Sequence, residues 1–161
     1  MIVVADTSVL LNLGRVEQLD LLRSLFQTVF IPSEVSREFR DAAARLDRFQ
    51  NLSLPGWIIE KSPSEIPVRL RTQPGLDAGE TAAIALALEI SADAILLDER
   101  RGHEVAVELG LQAIGVVGLL LQAKNSGLIP AVRTLLDRLQ TEAQFWIAPA
   151  LRARILELAK E

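Results

Sequence analysis

The chain has 161 residues, half of them hydrophobic, and a formal net charge of −4. This length allows one ordinary domain with a sizeable core. The absence of Cys excludes disulfides, thiolate metal sites and a Cys nucleophile, and the single His excludes zinc held by several histidines. The acidic balance argues against a protein that coats nucleic acid over its whole surface, although it does not exclude a nuclease.

The longest apolar segments bear on location. The first apolar run has only four residues before Asp6 interrupts it, so no signal peptide is expected. The longest apolar stretch, residues 113–121, is too short to span a membrane. We therefore expect a cytoplasmic protein that does not enter the membrane.

Short apolar runs alternate with longer helical patterns, which predicts an α/β fold with a parallel sheet. Strands are expected, in chain order, at residues 2–5, 28–31, 57–60, 94–97 and 112–116. Helices are expected at residues 7–14, 16–26, 32–50, 77–90, 101–109, 118–125, 131–140 and 149–160. The stretch from Pro55 to Gly75, which contains several prolines, is interpreted as an excursion within a single domain, residues 1–161. The helices from about residue 128 form a C-terminal extension of that domain.

Four acidic residues are expected where the chain leaves a strand or lies on a nearby helix: Asp6, Glu38, Glu80 and Asp98. Asp6 follows the first predicted strand and Asp98 follows the fourth. The carboxyl ends of parallel strands share one edge of the sheet, and ligands bind there. Carboxylates gathered at this edge repel one another unless a cation joins them, and Mg2+ and Mn2+ prefer carboxylate oxygens. The pattern predicts metal-assisted phosphoryl chemistry.

Each acid also has a purely structural interpretation. Asp6 precedes a helix and could be only its N-cap, and Asp98 could begin a turn. Asp77 and Glu80 match a capping box, in which Asp77 caps the helix and Glu80 reaches back to it. The helix after Glu80 is apolar on all sides, which indicates burial, and an unpaired charge near a core is costly.

The helical position of Glu38 favours a role different from that of Glu34. At about 100° per residue, Glu38 lies at the margin of the apolar face, whereas Glu34 lies about 40° further towards solvent. The apolar face consists of Val35, Phe39, Ala42, Leu46 and Phe49. Glu38 can therefore be half-buried and still reach a metal, although an ordinary boundary position stays open. Glu34 is expected to be solvated.

Four segments together carry a resemblance to a known family. They are VADTSVL (residues 4–10), IPSEVSREF (31–39), GLDAGETA (75–82) and LLDERRG (96–102). In this order and spacing they resemble the PIN-domain ribonuclease family, especially its VapC-like bacterial branch and an uncharacterised PIN-like sub-branch. Each segment is weak evidence alone, and the resemblance extends to about residue 127.

The resemblance implies a three-layer α/β/α fold with a central parallel sheet of four to five strands. It also implies Mg2+- or Mn2+-dependent cleavage of single-stranded RNA. On this basis Asp6, Glu38, Glu80 and Asp98 are expected to be both the metal ligands and the catalytic residues. Ser8 matches a small hydroxyl residue that assists at the first acid.

Basic residues near these acids are candidates for contact with RNA. Arg100 and Arg101 follow Asp98 and are expected to bind the RNA backbone, with a solvated turn as the alternative. Arg37, Arg40 and Arg48 share one side of the predicted Glu38 helix and either extend this surface or are simply solvated.

Two positions depart from the family pattern. Glu99 stands where similar proteins often have a second Asp, and the longer side chain puts an outer ligand in doubt. His103 stands where a basic residue is usual, and we expect it to be a surface residue of a helix rather than a metal ligand.

The apolar residues of the last third predict assembly. Residues 119–121, 135–136 and 145–147 are strongly apolar, and one small core is not expected to cover all of them. A homodimer with two-fold symmetry follows from this reasoning. The last helix, with Leu151, Ile155 and Leu158 on one side, could pack on its own core or on a second subunit. The VapC-like resemblance implies a third possibility, a small antitoxin that holds a toxin inactive.

Two rival functions stay open at this point. A catalytically silent PIN-like module would bind RNA or protein without cutting. A metal-dependent phosphatase would also place an Asp after its first strand, but it would usually need a second Asp where Ser8 stands.

Overall fold

The computed structural model describes residues 1–45 and 52–161. The strands are β1 (Ile2–Ala5), β2 (Thr28–Ile31), β3 (Ile59–Glu60), β4 (Ala94–Leu96) and β5 (Ala113–Ile114). The helices are α1 (Thr7–Arg15), α2 (Asp20–Leu25), α3 (Ser33–Arg45), α4 (Val68–Arg71), α5 (Ala78–Glu89), α6 (Arg100–Glu108), α7 (Val116–Asn125), α8 (Arg133–Glu142) and α9 (Pro149–Leu158). The predicted continuation of α3 to residue 50, with Leu46, Arg48 and Phe49, lies outside the described residues.

The five strands form one parallel sheet in the order β3-β2-β1-β4-β5, between layers of helices. β1 lies at the centre, where Val4 pairs with Phe30 on one side and with Ile95 on the other. The predicted three-layer α/β/α fold is thereby confirmed. The chain builds β2 and β3 on one side of β1 and then returns to build β4 and β5 on the other. The order therefore reverses between β1 and β4, and the crevice at their carboxyl ends is where open α/β sheets bind ligands.

Several element boundaries differ from the sequence prediction for identifiable reasons. The second helix begins at Asp20 instead of residue 16, because Glu17 has a positive φ of 57° that no right-handed helix accommodates. Helix α7 begins at Val116 instead of residue 118, because the Asp98 carboxylate accepts a hydrogen bond from the Val116 N–H and satisfies the helix start. Helix α4 was not predicted, since it has only four residues in the proline-rich stretch.

Helix α5 is buried, as its apolar sequence predicted. Ala83, Ile84, Leu86 and Ala87 have no exposed surface, and the helix contacts β1, β4, α3, α4 and α6. A helix that is apolar on all sides fits only such a central position. The burial of α5 holds its N-terminal residues firmly against the crevice between β1 and β4.

The C-terminal helices belong to the same core as the sheet. Leu136 of α8 is fully buried, and Ile155 of α9 is nearly so. The core covers most of the apolar residues of the last third. The expectation that it would not cover all of them is confirmed, because Leu128, Trp146, Leu151 and Leu158 stay exposed. The dimer stays a prediction.

Within the described residues, every helix is too short or too polar to cross a bilayer.

Candidate metal centre

Asp6 occupies the N-cap position of α1 without capping it. Its extended backbone (φ −90°, ψ 163°) suits an N-cap, but its side chain makes no capping hydrogen bond. The side chain is only 3% exposed. Its Oδ2 accepts a hydrogen bond from Ser8 Oγ at 3.2 Å, whereas its Oδ1 has no partner among the described residues. A buried carboxylate oxygen without a partner is costly, so capping does not account for this residue.

The surroundings of Asp6 disfavour its negative charge. The pKa of Asp6 rises from 3.8 to about 7, chiefly because the group is buried and also because of the negative charges of Asp77 and Glu80. The nearby Thr7 backbone N–H and the hydrogen bond from the Ser8 hydroxyl lower the pKa only in part. A positive charge near Oδ1 would restore the ionised form.

Glu38 is held in place by two hydrogen bonds from neighbouring helices. It lies half-buried on α3, as predicted. Thr7 Oγ1 donates to its Oε2 at 2.7 Å, and the Gly79 N–H donates to its Oε1 at 3.0 Å. A Cβ atom at position 79 would collide with the Glu38 carboxylate, so the lack of a side chain there lets α5 approach. The sequence did not reveal either Thr7 or Gly79 as part of the site.

Three carboxylates converge at this point: Asp6, Glu38 and Asp77. One oxygen of each lies within 4.8 Å of the others. Asp6 is buried, Glu38 is half-buried and Asp77 is exposed, so the group opens to solvent on one side. We call these three residues the acid triad. It includes two of the four acids predicted as ligands, and it adds Asp77.

Asp77 was interpreted from the sequence only as a helix cap, and that interpretation is confirmed. Its Oδ1 accepts a hydrogen bond from the Glu80 N–H at 2.7 Å, and Glu80 Oε2 accepts one from the Asp77 N–H at 2.9 Å. The capping box also carries Asp77 to Asp6 and Glu38. An acid three residues before Glu80, at the same helix entrance, was the signal available in the sequence.

Glu80 lies beside the triad but is not one of the three converging carboxylates. Only 4% of its surface is exposed, which confirms that it is buried at the start of α5. Burial raises the pKa of Glu80, and the nearby charges of Asp77, Glu99 and Glu38 raise it further, against the lowering effect of its hydrogen bond to the Asp77 backbone. The surroundings of Glu80, like those of Asp6, therefore disfavour a further negative charge at this point.

Asp98 follows β4 and is half-buried, with both carboxylate oxygens engaged. Its Oδ2 accepts from Asn12 Nδ2 at 3.0 Å, and its Oδ1 accepts from the Val116 N–H at 2.7 Å. Its own N–H donates to Ser8 Oγ at 3.2 Å. Burial raises the pKa of Asp98, and the hydrogen bonds from Val116 and Asn12 lower it in part. Asp98 is connected to Asp6 through Ser8, but it is outside the triad.

The two arginines after Asp98 have different surroundings. The Arg100 side chain is 94% exposed and pairs with Glu104 at 3.0 Å, so it is open to a ligand. Arg101 ties α6 to the loop before α5: its Nη2 donates to Gln73 Oε1 at 2.8 Å and its Nε donates to the Pro74 carbonyl at 3.1 Å. Arg101 is thus already occupied by protein contacts.

The remaining predicted residues vary in exposure. Arg37 and Arg40 are exposed on α3, and His103 is exposed on α6, as expected. Glu34 was predicted to be solvated, but it is only half-exposed and accepts a weak hydrogen bond from Ser33 Oγ at 3.3 Å.

The acid triad has the chemistry of a hard-cation site. All its donors are carboxylate oxygens, the ligands that Mg2+ and Mn2+ prefer. The unpartnered Oδ1 of Asp6 and the raised pKa of that carboxyl are both relieved by a bound cation. The residues present therefore fit a divalent metal.

The fold and the acidic site define a class of protein. The chain is similar to a solved structure, a PilT N-terminus domain protein from the hyperthermophilic archaeon Sulfolobus solfataricus P2, with a TM-score of 0.55. The two share 22% identity over 76% of this chain and 93% of the other, which supports the fold alone. None of the curated proteins matches this chain.

The family model DUF3368, described as a PIN domain, matches residues 2–161. The chain therefore belongs to the PIN-domain family. The match extends beyond residue 127, where the resemblance of the sequence motifs ended, and includes α8 and α9. PIN domains are generally metal-dependent nucleases, and the acid triad is compatible with a divalent metal.

Proposed function

We propose that this chain is a Mg2+- or Mn2+-dependent endoribonuclease that cleaves phosphodiester bonds in single-stranded RNA. The observation that carries the proposal is the acid triad, in which three carboxylates converge and the buried Asp6 has one oxygen without a hydrogen-bond partner among the described residues. Structural roles account for the oxygens of Asp98 and for the capping oxygens of Asp77 and Glu80, but not for this one.

The metal-binding role is assigned first to the triad. Asp6, Glu38 and Asp77 hold the cation, and Glu80 and Asp98 complete the acidic surroundings. A bound divalent cation supplies a water of lowered pKa and offsets negative charge on the phosphate. Five acids at one edge thus become compatible with a negatively charged substrate.

Neighbouring side chains position these acids. Ser8 donates to Asp6 and accepts from the Asp98 N–H, so it fixes the separation of the two strand ends. Thr7 donates a hydrogen bond to one oxygen of Glu38 and so links α1 to α3. Arg100, exposed at the start of α6, contacts the RNA backbone. We assign Arg101 a secondary role, because its guanidinium already bonds the loop before α5.

The proposal is tested by metal binding and cleavage measured on the same preparation. Calorimetric titration with Mn2+ should show binding, and a mixed-sequence single-stranded RNA should be cut only in the presence of Mg2+ or Mn2+. Excess chelator should stop cleavage, and double-stranded RNA should be cut poorly. Metal binding without cleavage would favour the silent PIN-like module. Release of inorganic phosphate from a monoester, without RNA cleavage, would favour a phosphatase.

The VapC-like resemblance supports a role as the toxin of a toxin–antitoxin pair. In this role the chain forms a homodimer, and a small antitoxin covers the acidic crevice. Light scattering at micromolar concentration should give about twice the chain mass of 17.7 kDa. Expression should arrest growth, whereas Asp6→Asn should not. A monomer at all concentrations contradicts the dimer without affecting the nuclease.

A further inference from the structure

A second pocket adjoins the acidic crevice beside Asp98. Its volume is about 350 Å³, which is in the range of small-molecule sites. One wall is α1, and another is the loop between α8 and α9, which carries two adjacent aromatic residues, Phe145 and Trp146. Asp98 and Glu99 also line it. We call this space the aromatic pocket.

One face of α1 connects the aromatic pocket to the acid triad. Ser8, Asn12 and Arg15 are spaced four and three residues apart, which places them in one row along the helix. Ser8 bonds Asp6, Asn12 bonds Asp98, and Arg15 Nη1 donates to the Ala143 carbonyl at 3.2 Å. Helix α1, which positions Asp6, therefore also fixes the start of the loop between α8 and α9.

Trp146 is exposed although its neighbours are anchored. Its side chain is 77% exposed, more than any other large hydrophobic residue that the structure describes. Ile147 and Ala143 are buried on either side, and Gln144 has a positive φ of 51°, which is uncommon for a residue other than Gly. The loop is thus fixed at both ends and holds the Trp146 indole in solvent. The exposed ring therefore gains no stability from burial.

The charges of the pocket select its occupant. Two acids, Asp98 and Glu99, and one cation, Arg15, line the aromatic pocket, and Arg15 already donates to the Ala143 carbonyl. The net negative charge disfavours a phosphate group more than a neutral planar ring. Aromatic side chains beside a nucleic-acid site stack unpaired bases, and each stacked base contributes about 1–3 kcal/mol. A paired base is already stacked in its duplex and does not enter.

We propose that Trp146, together with Phe145, forms a stacking subsite for one unpaired nucleobase next to the scissile phosphate. This inference rests on the ribonuclease function proposed above and adds a substrate-binding residue to it. The subsite makes the enzyme prefer single-stranded RNA and positions the chain through its base, at a point where the acids prevent contact through phosphate. Arg15 acts as a positioning residue for the loop.

Tryptophan fluorescence provides a direct test. The chain has two tryptophans, so Trp57→Phe leaves Trp146 as the sole emitter, and Asp6→Asn in the same protein prevents cleavage. Addition of a short mixed-sequence single-stranded RNA should quench Trp146. Trp146→Ala should weaken RNA binding about 5- to 150-fold, and Trp146→Phe should restore most of the affinity. Leu151→Ala, which removes an exposed apolar side chain from α9, should change affinity less than about twofold.

An RNA with abasic positions separates stacking from other effects. If Trp146 stacks a base, the penalty of Trp146→Ala should vanish on this RNA, because the partner is already missing. An equal penalty on both RNAs would overturn the subsite. So would a Trp146 emission that changes on dilution of the protein but not on addition of RNA, since this would assign the indole to an interface between two copies of the chain.

The two proposals fail in different ways. Quenching and a Trp146→Ala penalty without any cleavage would contradict the ribonuclease and support the stacking subsite. Normal cleavage with the same KM in the wild-type chain and in Trp146→Ala would support the ribonuclease and overturn the subsite.

Discussion

Asp6 and Asp98 follow neighbouring strands of one sheet, yet their carboxylates differ in the number of hydrogen bonds they accept. Asp98 accepts hydrogen bonds at both oxygens, from Asn12 and from the Val116 N–H. Asp6 accepts one from Ser8 at Oδ2, and its Oδ1 has no partner among the described residues. Burial raises the pKa of both, to about 7 for Asp6.

The difference predicts that the two acids, although each follows a strand, have different roles. Asp98, which accepts one hydrogen bond at each oxygen, joins β4, α1 and α7. Glu38 also accepts one at each oxygen, so a bonded oxygen does not by itself exclude a metal ligand. A carboxylate with an unused buried oxygen carries a cost that a cation removes. We therefore expect substitutions at the two positions to differ in size and in sign.

The largest expected effect is on cleavage. Asp6→Asn keeps the size of the side chain and removes its charge, so it should lower the rate of RNA cleavage by about 1,000-fold or more, or about 4 kcal/mol. Asp98→Asn should lower the cleavage rate by about 10- to 100-fold, as expected for a residue that orients the metal ligands without binding the metal itself. Single-turnover rates at saturating Mn2+ measure both. A wild-type rate in Asp6→Asn would refute the site, and equal losses would refute the distinction.

Asp6→Asn and Asp98→Asn should also change the free energy of unfolding of the metal-free protein in opposite directions. The rise in the pKa of Asp6 from 3.8 to about 7 corresponds to at most ~4 kcal/mol, and Asp6→Asn removes this cost at pH 8. Asp98→Asn places an NH2 group against a bonded N–H and should destabilise the fold by about 1–3 kcal/mol. Urea unfolding in chelator measures the two free energies. Destabilisation by Asp6→Asn would show that its charge is already satisfied.

The pH dependence of stability should come largely from Asp6. Since its folded pKa lies above the unfolded value, the folded chain binds more protons between pH 4 and about 7. The free energy of unfolding should therefore decrease as the pH rises through this window in the metal-free protein, and should level off above it. Asp6→Asn should reduce this slope, and the raised pKa values of Glu80 and Asp98 should leave a remaining slope of the same sign. The comparison uses urea unfolding in chelator at several pH values.

The acid triad can be probed through its second member. Glu38→Gln should weaken Mn2+ binding about tenfold or more, because it removes a charge held in place by Thr7 and Gly79. Glu34→Gln, one turn earlier on α3, should change binding less than about twofold, since Glu34 is not part of the triad. Calorimetry gives both affinities. A larger loss at Glu34 would mean that the ligand face of α3 is misassigned.

The smallest effect is expected from a single added methyl group. Gly79→Ala forces a Cβ into the Glu38 carboxylate, so Glu38 must move and Mn2+ binding should weaken by about two- to tenfold. Gly56→Ala is the matched control, because nothing lies within 4 Å of a Cβ there. Calorimetric Mn2+ affinities of both variants are compared with that of the wild-type chain. An unchanged affinity in Gly79→Ala would show that the position of Glu38 does not matter.

The sequence predicted the sheet and most helices because its signals are local. Each strand is a short apolar run next to a helical pattern, and Asp6 and Asp98 follow directly from that alternation. The sequence places Asp77 at the same helix entrance as Glu80, but the convergence of Asp77 with Asp6 and Glu38 depends on how closely α3 and α5 approach. That approach is set by Gly79, whose missing side chain carries no periodic signal. The extent to which the core buries the apolar residues of the last third was also not predictable, since it depends on how α8 and α9 pack against the rest of the domain.

Helix starts surround the acidic crevice. Asp6 stands at the start of α1, Asp77 at the start of α5, and the Val116 N–H that Asp98 binds is the first of α7. The aligned peptide dipoles give each start about half a positive charge. This backbone charge allows the acids to coexist in the metal-free protein, and it also weakens the hold of the site on a cation. When a cation neutralises the carboxylates, the same dipoles attract a phosphate. We therefore expect a metal at this site to be loosely held and to bind most firmly when the substrate arrives.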